Sequence, residues 1–169
     1  MSIFYPSLLK NRITDITPDD LHALGVRGLL LDVDNTLTEF HSQELSPEVA
    51  AWLREMEAAG FGMTIVSNGL PKRVRPFAEK LGLRSIAFAC KPSPLGFWRG
   101  ARRLRLPLSQ CAAIGDQTFT DVLGAKLARV KVIQLLPRQL EAGHPTILLK
   151  RRLERGILNR YRRRKETGR

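Results

Sequence analysis

The sequence predicts an α/β fold in which helices cover both faces of one parallel sheet. Short apolar runs bounded by glycine, proline or polar residues are typical of strands that are buried on both faces. Between these runs lie longer segments with apolar residues at helical spacing. Because strands and helices alternate along the chain, we expect parallel strands joined by right-handed crossovers. A chain of 169 residues is long enough for one such core and short for two.

The individual elements follow from local signals, taken in chain order. The predicted strands are Gly28–Leu31, Phe61–Val66, Ser85–Ala89, Cys111–Ile114 and Val130–Leu135. The predicted helices begin near Pro18, Pro47, Pro71, Pro94 and Thr118, and several of these starts combine a capping residue with proline in the first turn. The apolar segment from Ile3 to Leu9 has no regular period. It is expected to pack on the core, with contact to a membrane surface as the alternative.

Two acids, Asp32 and Asp34, follow directly after the first predicted strand. The carboxyl end of a strand is where open α/β sheets bind their ligands. Two carboxylates held close together repel each other unless a cation neutralises them, and Mg²⁺ prefers carboxylate and carbonyl oxygens. We therefore expect a Mg²⁺ site here, with a pair of solvated loop acids as the alternative.

Four motifs, in this order, resemble those of the haloacid dehalogenase (HAD) superfamily of phosphohydrolases. They are Asp32-Val33-Asp34-Asn35-Thr36, which is similar to the DxDxT signature, Ser67 after the second strand, Lys91 before a proline, and the segment from Gly115-Asp116 to Asp121. The Asp-Asn-Thr-Leu and Gly-Asp-Gln-x-x-Thr-Asp variants resemble the IIIA-type branch. Over most of residues 1–160 the chain resembles the YqeG family, which is related to the mitochondrial phosphatidylglycerophosphate phosphatase.

The resemblance implies the architecture of the sheet and of its surroundings. A HAD-like Rossmannoid sheet has the strand order 5-4-1-2-3, which places the Asp32 strand centrally beside the Asp116 strand. HAD enzymes often carry a cap domain after the first or second motif. Here the segment from Thr38 to Ser46 has room only for a loop or a small flap. The chain therefore resembles the capless kind, whose open site admits the head group of a large or surface-bound substrate.

The resemblance also implies catalytic and metal-binding roles for four acids. Asp32 resembles the nucleophile that forms an aspartyl-phosphate, and Asp34 resembles the general acid that protonates the leaving group. Mg²⁺ would be held by Asp32, the backbone carbonyl of Asp34, and Asp116. Asp121 would bind a water on the metal, or would orient Asp116 or Lys91.

Phosphate binding is assigned by the same resemblance to the residues that follow the second and third strands. Ser67, with the backbone amides of Asn68 and Gly69, would cradle the phosphate. Lys91 would neutralise the phosphate and the nucleophile as a point charge. Thr36 would support the loop of the first motif through hydrogen bonds.

Positive charge is concentrated at the C-terminus of the chain. The formal net charge is +12, and residues 150–169 hold ten Lys and Arg against two Glu. Leu149, Leu153, Ile157 and Tyr161 recur every four residues among these cations. The spacing predicts a basic amphipathic helix over residues 146–169, following a single phosphatase domain over residues 1–145. Such a helix suits an anionic lipid surface or the phosphates of RNA, and a solvated helix docked on the body is the third possibility.

The resemblance implies a Mg²⁺-dependent HAD phosphatase, and the resemblance together with the basic tail implies phosphatidylglycerophosphate as the leading substrate. The alternatives are a phosphatase of a soluble sugar phosphate, nucleotide or phosphoprotein, and an RNA- or ribosome-binding protein that uses its basic tail. No run approaches the roughly 18 apolar residues of a membrane-spanning helix, and the start lacks the pattern of a secretory signal. We therefore expect a cytoplasmic protein, peripheral on the inner face of the membrane if its substrate is a lipid. The isolated Cys90 and Cys111 are expected to be buried, reduced thiols near strand ends.

Overall fold

A computed structural model describes residues 2–39, 42, 44–136 and 145–167, with only the backbone described for residues 145–151. The predicted division at residue 145 adjoins residues 137–144, which lie outside this description. Part of the predicted flap, at residues 40, 41 and 43, also lies outside it.

Six parallel strands form one sheet with the order β1-β6-β5-β2-β3-β4. The strands are β1 (Leu8–Lys10), β2 (Gly28–Leu31), β3 (Gly62–Val66), β4 (Arg84–Ile86), β5 (Cys111–Gly115) and β6 (Lys131–Leu135). The predicted order of the five predicted strands, which are β2 to β6, is confirmed. The additional strand β1 was not predicted. It overlaps the end of the apolar segment that has no regular period, and three residues at the edge of a sheet are too few to show a strand pattern.

The third predicted strand is shorter than expected and begins one residue earlier. It was expected at Ser85–Ala89, whereas β4 ends at Ile86. Beyond that point the backbone N–H of Phe88 donates to Gly69 and that of Ala89 donates to Ser67. Phe88 also has a left-handed φ of 49°. The chain therefore leaves the strand and binds the loop that follows β3, which brings the two loops together. Cys90 follows directly and is exposed, so the expectation of a buried thiol is wrong for Cys90 and confirmed for Cys111.

Helices cover both faces of the sheet, as predicted. They are α1 (Pro18–Ala23), α2 (Pro47–Ala58), α3 (Pro71–Lys80), α4 (Leu95–Leu104), α5 (Leu123–Leu127) and α6 (Pro145–Glu166), with a wide π-helical turn over Thr118–Val122 before α5. Alternate residues of β2 belong to two separate apolar cores. Leu29 and Leu31 pack with α2 and α3, whereas Leu30 packs with α4 and α5. The fully buried central strand thus needs apolar residues at every position.

The register of the central strands places the motifs at one edge of the sheet. Leu31 of β2 lies opposite Ile65 of β3 and Ile114 of β5. Asp32 continues this pairing, since its backbone N–H donates to the carbonyl of Ile114 at 2.9 Å. The residues that follow these three parallel strands are therefore neighbours at the carboxyl edge of the sheet.

Helix α6 docks on this edge through a buried stripe of Glu154, Leu158 and Tyr161. One carboxylate oxygen of Glu154 accepts a hydrogen bond of 2.9 Å from the backbone N–H of Thr118. The apolar face predicted from spacing differs from this stripe, because Leu153 is 54% exposed. The docked face includes Glu154, which accepts a hydrogen bond from a backbone N–H, and it does not include Leu153. The side chain of Leu149, also part of the predicted face, lies outside the described residues.

The N-terminal segment packs on the body, as expected from its apolar residues. Its Tyr5 ring contacts the Tyr161 ring of α6 with centroids 5.6 Å apart, and Phe4 contacts Phe119 at 5.7 Å. Within the described part of the chain, no helix combines the length and apolarity that a bilayer crossing needs.

Candidate active site

Lys91 lies between two carboxylates at the base of the site. Its Nζ is 2.7 Å from Asp32 and 2.6 Å from Asp121, and all three side chains are buried. The three residues come from the ends of β2, β4 and β5, so only the folded sheet brings them together. One cation shared by two carboxylates at these distances is a charge-assisted arrangement that fixes all three side chains.

A third carboxylate, Asp116, completes a buried acidic cluster. Carboxylate oxygens of Asp32, Asp116 and Asp121 lie within 4.8 Å of one another. Lys91 alone does not balance three ionised carboxylates, and an uncompensated buried charge is costly. A divalent cation with a preference for oxygen ligands would restore the balance. The donor set and its charge therefore fit a divalent cation such as the predicted Mg²⁺.

Gly115 allows Asp121 to reach the cluster. A Cβ added at Gly115 would lie 2.4 Å from the carboxylate carbon of Asp121, closer than real Cβ contacts. Because glycine has no side chain, the Asp121 carboxylate folds back against the end of β5. Its second oxygen then accepts a hydrogen bond of 3.1 Å from the backbone N–H of Gln117.

Burial and mutual interaction shift the protonation of the Asp32–Lys91 pair. Burial raises the pKa of Asp32 to about 6, and the negative charge of Asp121 adds to this effect, whereas the Lys91 ammonium opposes it. Burial alone would lower the pKa of Lys91, but the adjacent Asp121 and Asp32 raise it well above its usual value. Lys91 is thus held as a cation, while Asp32 takes up a proton at a higher pH than an ordinary aspartate does.

The loop after β3 supports Lys91 through its side chains. The Asn68 side chain donates to the carbonyl of Lys91 at 3.0 Å and accepts from the Lys91 backbone N–H at 2.7 Å. The backbone N–H of Gly69 donates to Ser67 Oγ at 3.1 Å, so it is engaged within the loop. We expected this amide to face the phosphate. The structure instead gives the loop a second purpose, which is to fix the backbone that carries Lys91.

Asp34 lies toward solvent and is held by Arg73, a residue that we did not predict. The two guanidinium nitrogens are 2.9 and 2.5 Å from the two carboxylate oxygens. Arg73 belongs to the first turn of α3, and that turn contains no acidic residue. The helix dipole disfavours cations at an N-terminus, so Lys72-Arg73 in that turn was a signal that the arginine meets an acid.

The first-motif loop is braced by its backbone rather than by the Thr36 hydroxyl. Backbone N–H groups of Thr36, Leu37 and Thr38 all donate to the carbonyl of Val33, at 2.9 to 3.2 Å. The buried Thr36 hydroxyl has no hydrogen-bond partner among the described residues. The expectation that this side chain supports the loop by hydrogen bonds is therefore not met within that part of the chain.

A small open cleft lies above the cluster. Its volume is about 70 Å³, and its lining consists of Asp32, Asp34, Ser67, Asn68, Gly69, Lys91, Gln117 and Thr120. Ligand pockets for whole small molecules are usually several times larger, at roughly 300 Å³ or more. The structure thus brings five of the eight predicted site residues to the cleft, namely Asp32, Asp34, Ser67, Asn68 and Lys91, whereas Asp116 and Asp121 belong to the acidic cluster beneath it and Thr36 is not part of its lining. Gln117 and Thr120 were not predicted as lining residues.

A family model confirms the motif-based assignment. The model for haloacid dehalogenase-like hydrolases matches residues 39–129. The chain belongs to this family. As predicted, it is an enzyme of the HAD phosphatase class.

A curated relative extends the likeness beyond the matched segment. The chain is 37% identical over 160 residues to "Probable phosphatase YqeG" of Bacillus subtilis (strain 168), covering 95% of this chain and 92% of the relative. This similarity confirms the predicted YqeG family. The finer assignment to the IIIA-type branch stays a prediction.

Solved structures share the fold at low sequence identity. An uncharacterized protein from Listeria monocytogenes serotype 4b has a TM-score of 0.57 at 17% identity, covering 70% of this chain and 85% of its own. A hypothetical protein from Xanthomonas campestris has a TM-score of 0.55 at 22% identity, covering 82% of this chain and 77% of its own. These similarities support the α/β fold.

Proposed function

We propose that the protein is a Mg²⁺-dependent phosphomonoester hydrolase that works through an aspartyl-phosphate on Asp32. The observation that carries this proposal is the buried arrangement in which Lys91 contacts Asp32 and Asp121, with Asp116 within the same cluster. Phosphoryl transfer requires an in-line nucleophile, neutralisation of the phosphoryl oxygens and a proton for the leaving oxygen. The cleft offers one group for each of these tasks.

The proposed reaction has two balanced steps. In the first, a carboxylate oxygen of Asp32 bonds to phosphorus, the bond from phosphorus to the ester oxygen breaks, and Asp34 gives its proton to the leaving alkoxide. In the second, water bonds to phosphorus, Asp34 takes the proton from that water, and the bond from phosphorus to Asp32 breaks. The products are the alcohol and inorganic phosphate, and both aspartates return to their starting states.

The remaining residues bind and neutralise. We assign the phosphate oxygens to Lys91 and Ser67, with Asn68 holding the backbone of Lys91 in place. Mg²⁺ would be held by Asp32, Asp116 and the backbone carbonyl of Asp34, and when bound it would supply positive charge for the phosphoryl oxygens. Asp121 acts by orienting Lys91, which its 2.6 Å contact favours over a direct metal role.

For the substrate we propose a phosphomonoester at a lipid surface, with phosphatidylglycerophosphate as the leading candidate. The cleft of about 70 Å³ accepts little beyond a phosphoryl group, so the rest of the substrate lies outside it. The eight residues 39–46 are too few to form a separate cap domain over the cleft. A site of this shape can act on a phosphate that projects from a surface.

Helix α6 is the proposed contact with that surface. Its described side chains outside the docked stripe include seven exposed Arg or Lys between residues 152 and 165. Exposed Leu153 and half-buried Ile157 lie among them. Cations interspersed with apolar side chains favour an anionic lipid interface, where the two attractions add. We therefore propose residues 1–145 as the phosphatase unit, residues 146–169 as its membrane-contacting segment, and a location on the cytoplasmic face of the membrane.

The deciding experiment measures phosphate release from phosphatidylglycerophosphate in mixed micelles, beside p-nitrophenyl phosphate, with Mg²⁺ or EDTA. Asp32→Asn serves as the blank. We expect release from the lipid that requires Mg²⁺ and is absent in the variant. Release from the small ester alone would keep the phosphatase and discard the lipid substrate. Absence of release from both, in a folded protein, would overturn the proposed reaction for these substrates.

A second experiment tests the surface contact with charge-matched variants. Arg160→Gln/Arg163→Gln removes two exposed cations from α6, and Arg99→Gln/Arg103→Gln removes two from α4. We expect the α6 pair to weaken binding to phosphatidylglycerol-containing vesicles far more than the α4 pair. Equal effects of the two pairs would mean that α6 contributes only its general positive charge to vesicle binding. Salt-sensitive retention on RNA without retention on vesicles would favour a nucleic-acid partner.

A further inference from the structure

Two large apolar side chains stand exposed beside the cleft. Leu70 is 53% exposed and Phe88 is 61% exposed. They lie on neighbouring loops, since the backbone N–H of Phe88 donates to the carbonyl of Gly69 at 2.9 Å. Gly69 lines the cleft, whereas Leu70 and Phe88 are not part of that lining. We call these two residues the mouth of the site.

The local backbone gives neither residue a structural reason to be large and apolar. Leu70 is the N-cap of α3, with no side-chain capping bond, at a position where serine, threonine, asparagine and aspartate are favoured. Phe88 has a φ of 49°, where glycine and asparagine are favoured and a bulky residue is strained. Departures from local preference at exposed positions point to a contact outside the fold.

The surroundings of the mouth suit an anionic, partly apolar partner. Lys72, two residues after Leu70, is exposed and makes no ion pair among the described residues. The basic helix α6 docks on the same carboxyl edge, through Glu154 and Thr118. Apolar side chains next to lysine and arginine match the boundary between the acyl chains and the anionic head groups of a bilayer.

We propose that Leu70 and Phe88 insert into the surface of a phospholipid bilayer and hold the cleft against it. A phosphomonoester in that surface then reaches Asp32 without leaving the membrane. This inference rests on the proposed lipid substrate, since a soluble substrate has no need of such a contact. It adds the orientation of the enzyme on the membrane, with the carboxyl edge of the sheet facing the lipid.

The test compares Leu70→Ser/Phe88→Asn with Leu127→Gln. Serine suits an N-cap and asparagine suits a left-handed φ, so the double variant is expected to fold at least as well as the parent. Leu127 is 52% exposed and ends α5, toward the opposite edge of the sheet. It therefore controls for the loss of an exposed apolar side chain.

Two measurements are made on each full-length protein, namely co-sedimentation with phosphatidylglycerol-containing vesicles and hydrolysis of p-nitrophenyl phosphate. We expect the double variant to lose roughly tenfold or more in vesicle partitioning, the scale set by exposing buried apolar side chains. Hydrolysis of the small ester should stay within about twofold, and Leu127→Gln should leave both unchanged.

Three outcomes would overturn the inference. Unchanged vesicle binding in the double variant would show that the mouth does not touch the bilayer. An equal loss in Leu127→Gln would reduce it to general surface apolarity. A parallel loss of small-ester hydrolysis would make the mouth part of the cleft. If the parent hydrolyses neither ester, the proposed function fails, while the vesicle measurement still decides the membrane contact.

Discussion

The base and the mouth of the site are built on opposite principles. At the base, Asp32, Lys91 and Asp121 are each less than a tenth exposed and contact one another. At the mouth, the side chains of Leu70 and Phe88 are apolar and more than half exposed. The base thus holds buried charges that contact one another, and the mouth offers apolar surface that the fold leaves uncovered. We propose that the base carries out the chemistry common to many phosphate esters, and that the mouth contributes to substrate choice by holding the site against the membrane surface.

This difference has an energetic consequence for each region. A buried charge that loses its partner destabilises the protein strongly, because the remaining charge stays desolvated. An exposed apolar residue that is replaced by a polar one changes stability little. Substitutions at the base should therefore affect folding and catalysis together, whereas substitutions at the mouth should affect only recognition.

The largest effect is expected for Asp32→Asn, which removes the proposed nucleophile while nearly keeping its shape. We expect hydrolysis of p-nitrophenyl phosphate to fall by a factor on the order of 10³ or more, because no aspartyl-phosphate can form. Asp19→Asn, at an exposed acid of α1, is the control and should retain full activity. Substantial activity in Asp32→Asn would show that Asp32 is not the nucleophile.

The next effect is on stability, through Lys91→Met. Without the Lys91 ammonium, Asp32 and Asp121 stay buried but lose the cation that both of them contact. Breaking a buried ion pair in this way lowers the free energy of unfolding by roughly 3–5 kcal/mol. Urea unfolding in EDTA measures the loss, and Lys80→Met, an exposed lysine of α3, should change little. If both variants unfold alike, the charges at the base are less desolvated than their burial indicates.

A pH dependence of metal stabilisation follows from Asp32. Its pKa of about 6 lies above the ordinary value of 3.8, so between these values the folded metal-free protein keeps a proton that the unfolded chain has released. This group's contribution to stability therefore falls as pH rises through that window. Above it, Mg²⁺ binds an ionised carboxylate without displacing a proton. We expect the rise in Tm on adding Mg²⁺ to be larger at about pH 7.5 than at about pH 5. Equal rises in Tm at the two pH values would show that Mg²⁺ binding does not depend on the ionisation of Asp32.

The base was predictable from the sequence, and the mouth was not. Asp32, Lys91, Asp116 and Asp121 sit in motifs whose order and spacing identify strand ends, so a parallel sheet brings them to one edge. Arg73 and Phe88 carry no such motif. Their positions depend on how α3 begins and how the chain leaves β4, which are details of loop geometry.

The sheet itself shows the same limit of prediction. Strand β2 is apolar at every position because both of its faces are buried, so it was predicted from its apolar run. The order of the five predicted strands was implied by the family resemblance, and the sheet confirms it. Strand β1 has three half-buried residues at the sheet edge, too few for a pattern. On α6, apolar spacing predicted an apolar face that includes Leu153, and it could not show that the docked face would instead include Glu154, which meets the backbone of Thr118.

Arg73→Ala tests the border between base and mouth. Arg73 binds both oxygens of Asp34, which orients this carboxylate in its ionised form, the form that takes the proton from water in the second proposed step, and adds positive charge beside the cleft. We expect kcat/KM for p-nitrophenyl phosphate to fall roughly ten- to hundredfold, mainly in kcat. Arg75→Ala, exposed on the same helix, is the matched control. Equal losses in the two variants would assign Arg73 to the general positive field of α3.

The smallest effect is expected for Glu154→Gln, which connects the basic helix to the base. Glutamine keeps an oxygen for the Thr118 N–H but removes negative charge from the start of the turn that carries Asp121. We expect a loss of about 1 kcal/mol in urea unfolding and a change in kcat below about threefold. Glu166→Gln, exposed near the end of α6, should change neither. A loss of kcat greater than that of Arg73→Ala would make helix α6 part of the catalytic unit and would contradict the proposed division at residue 145.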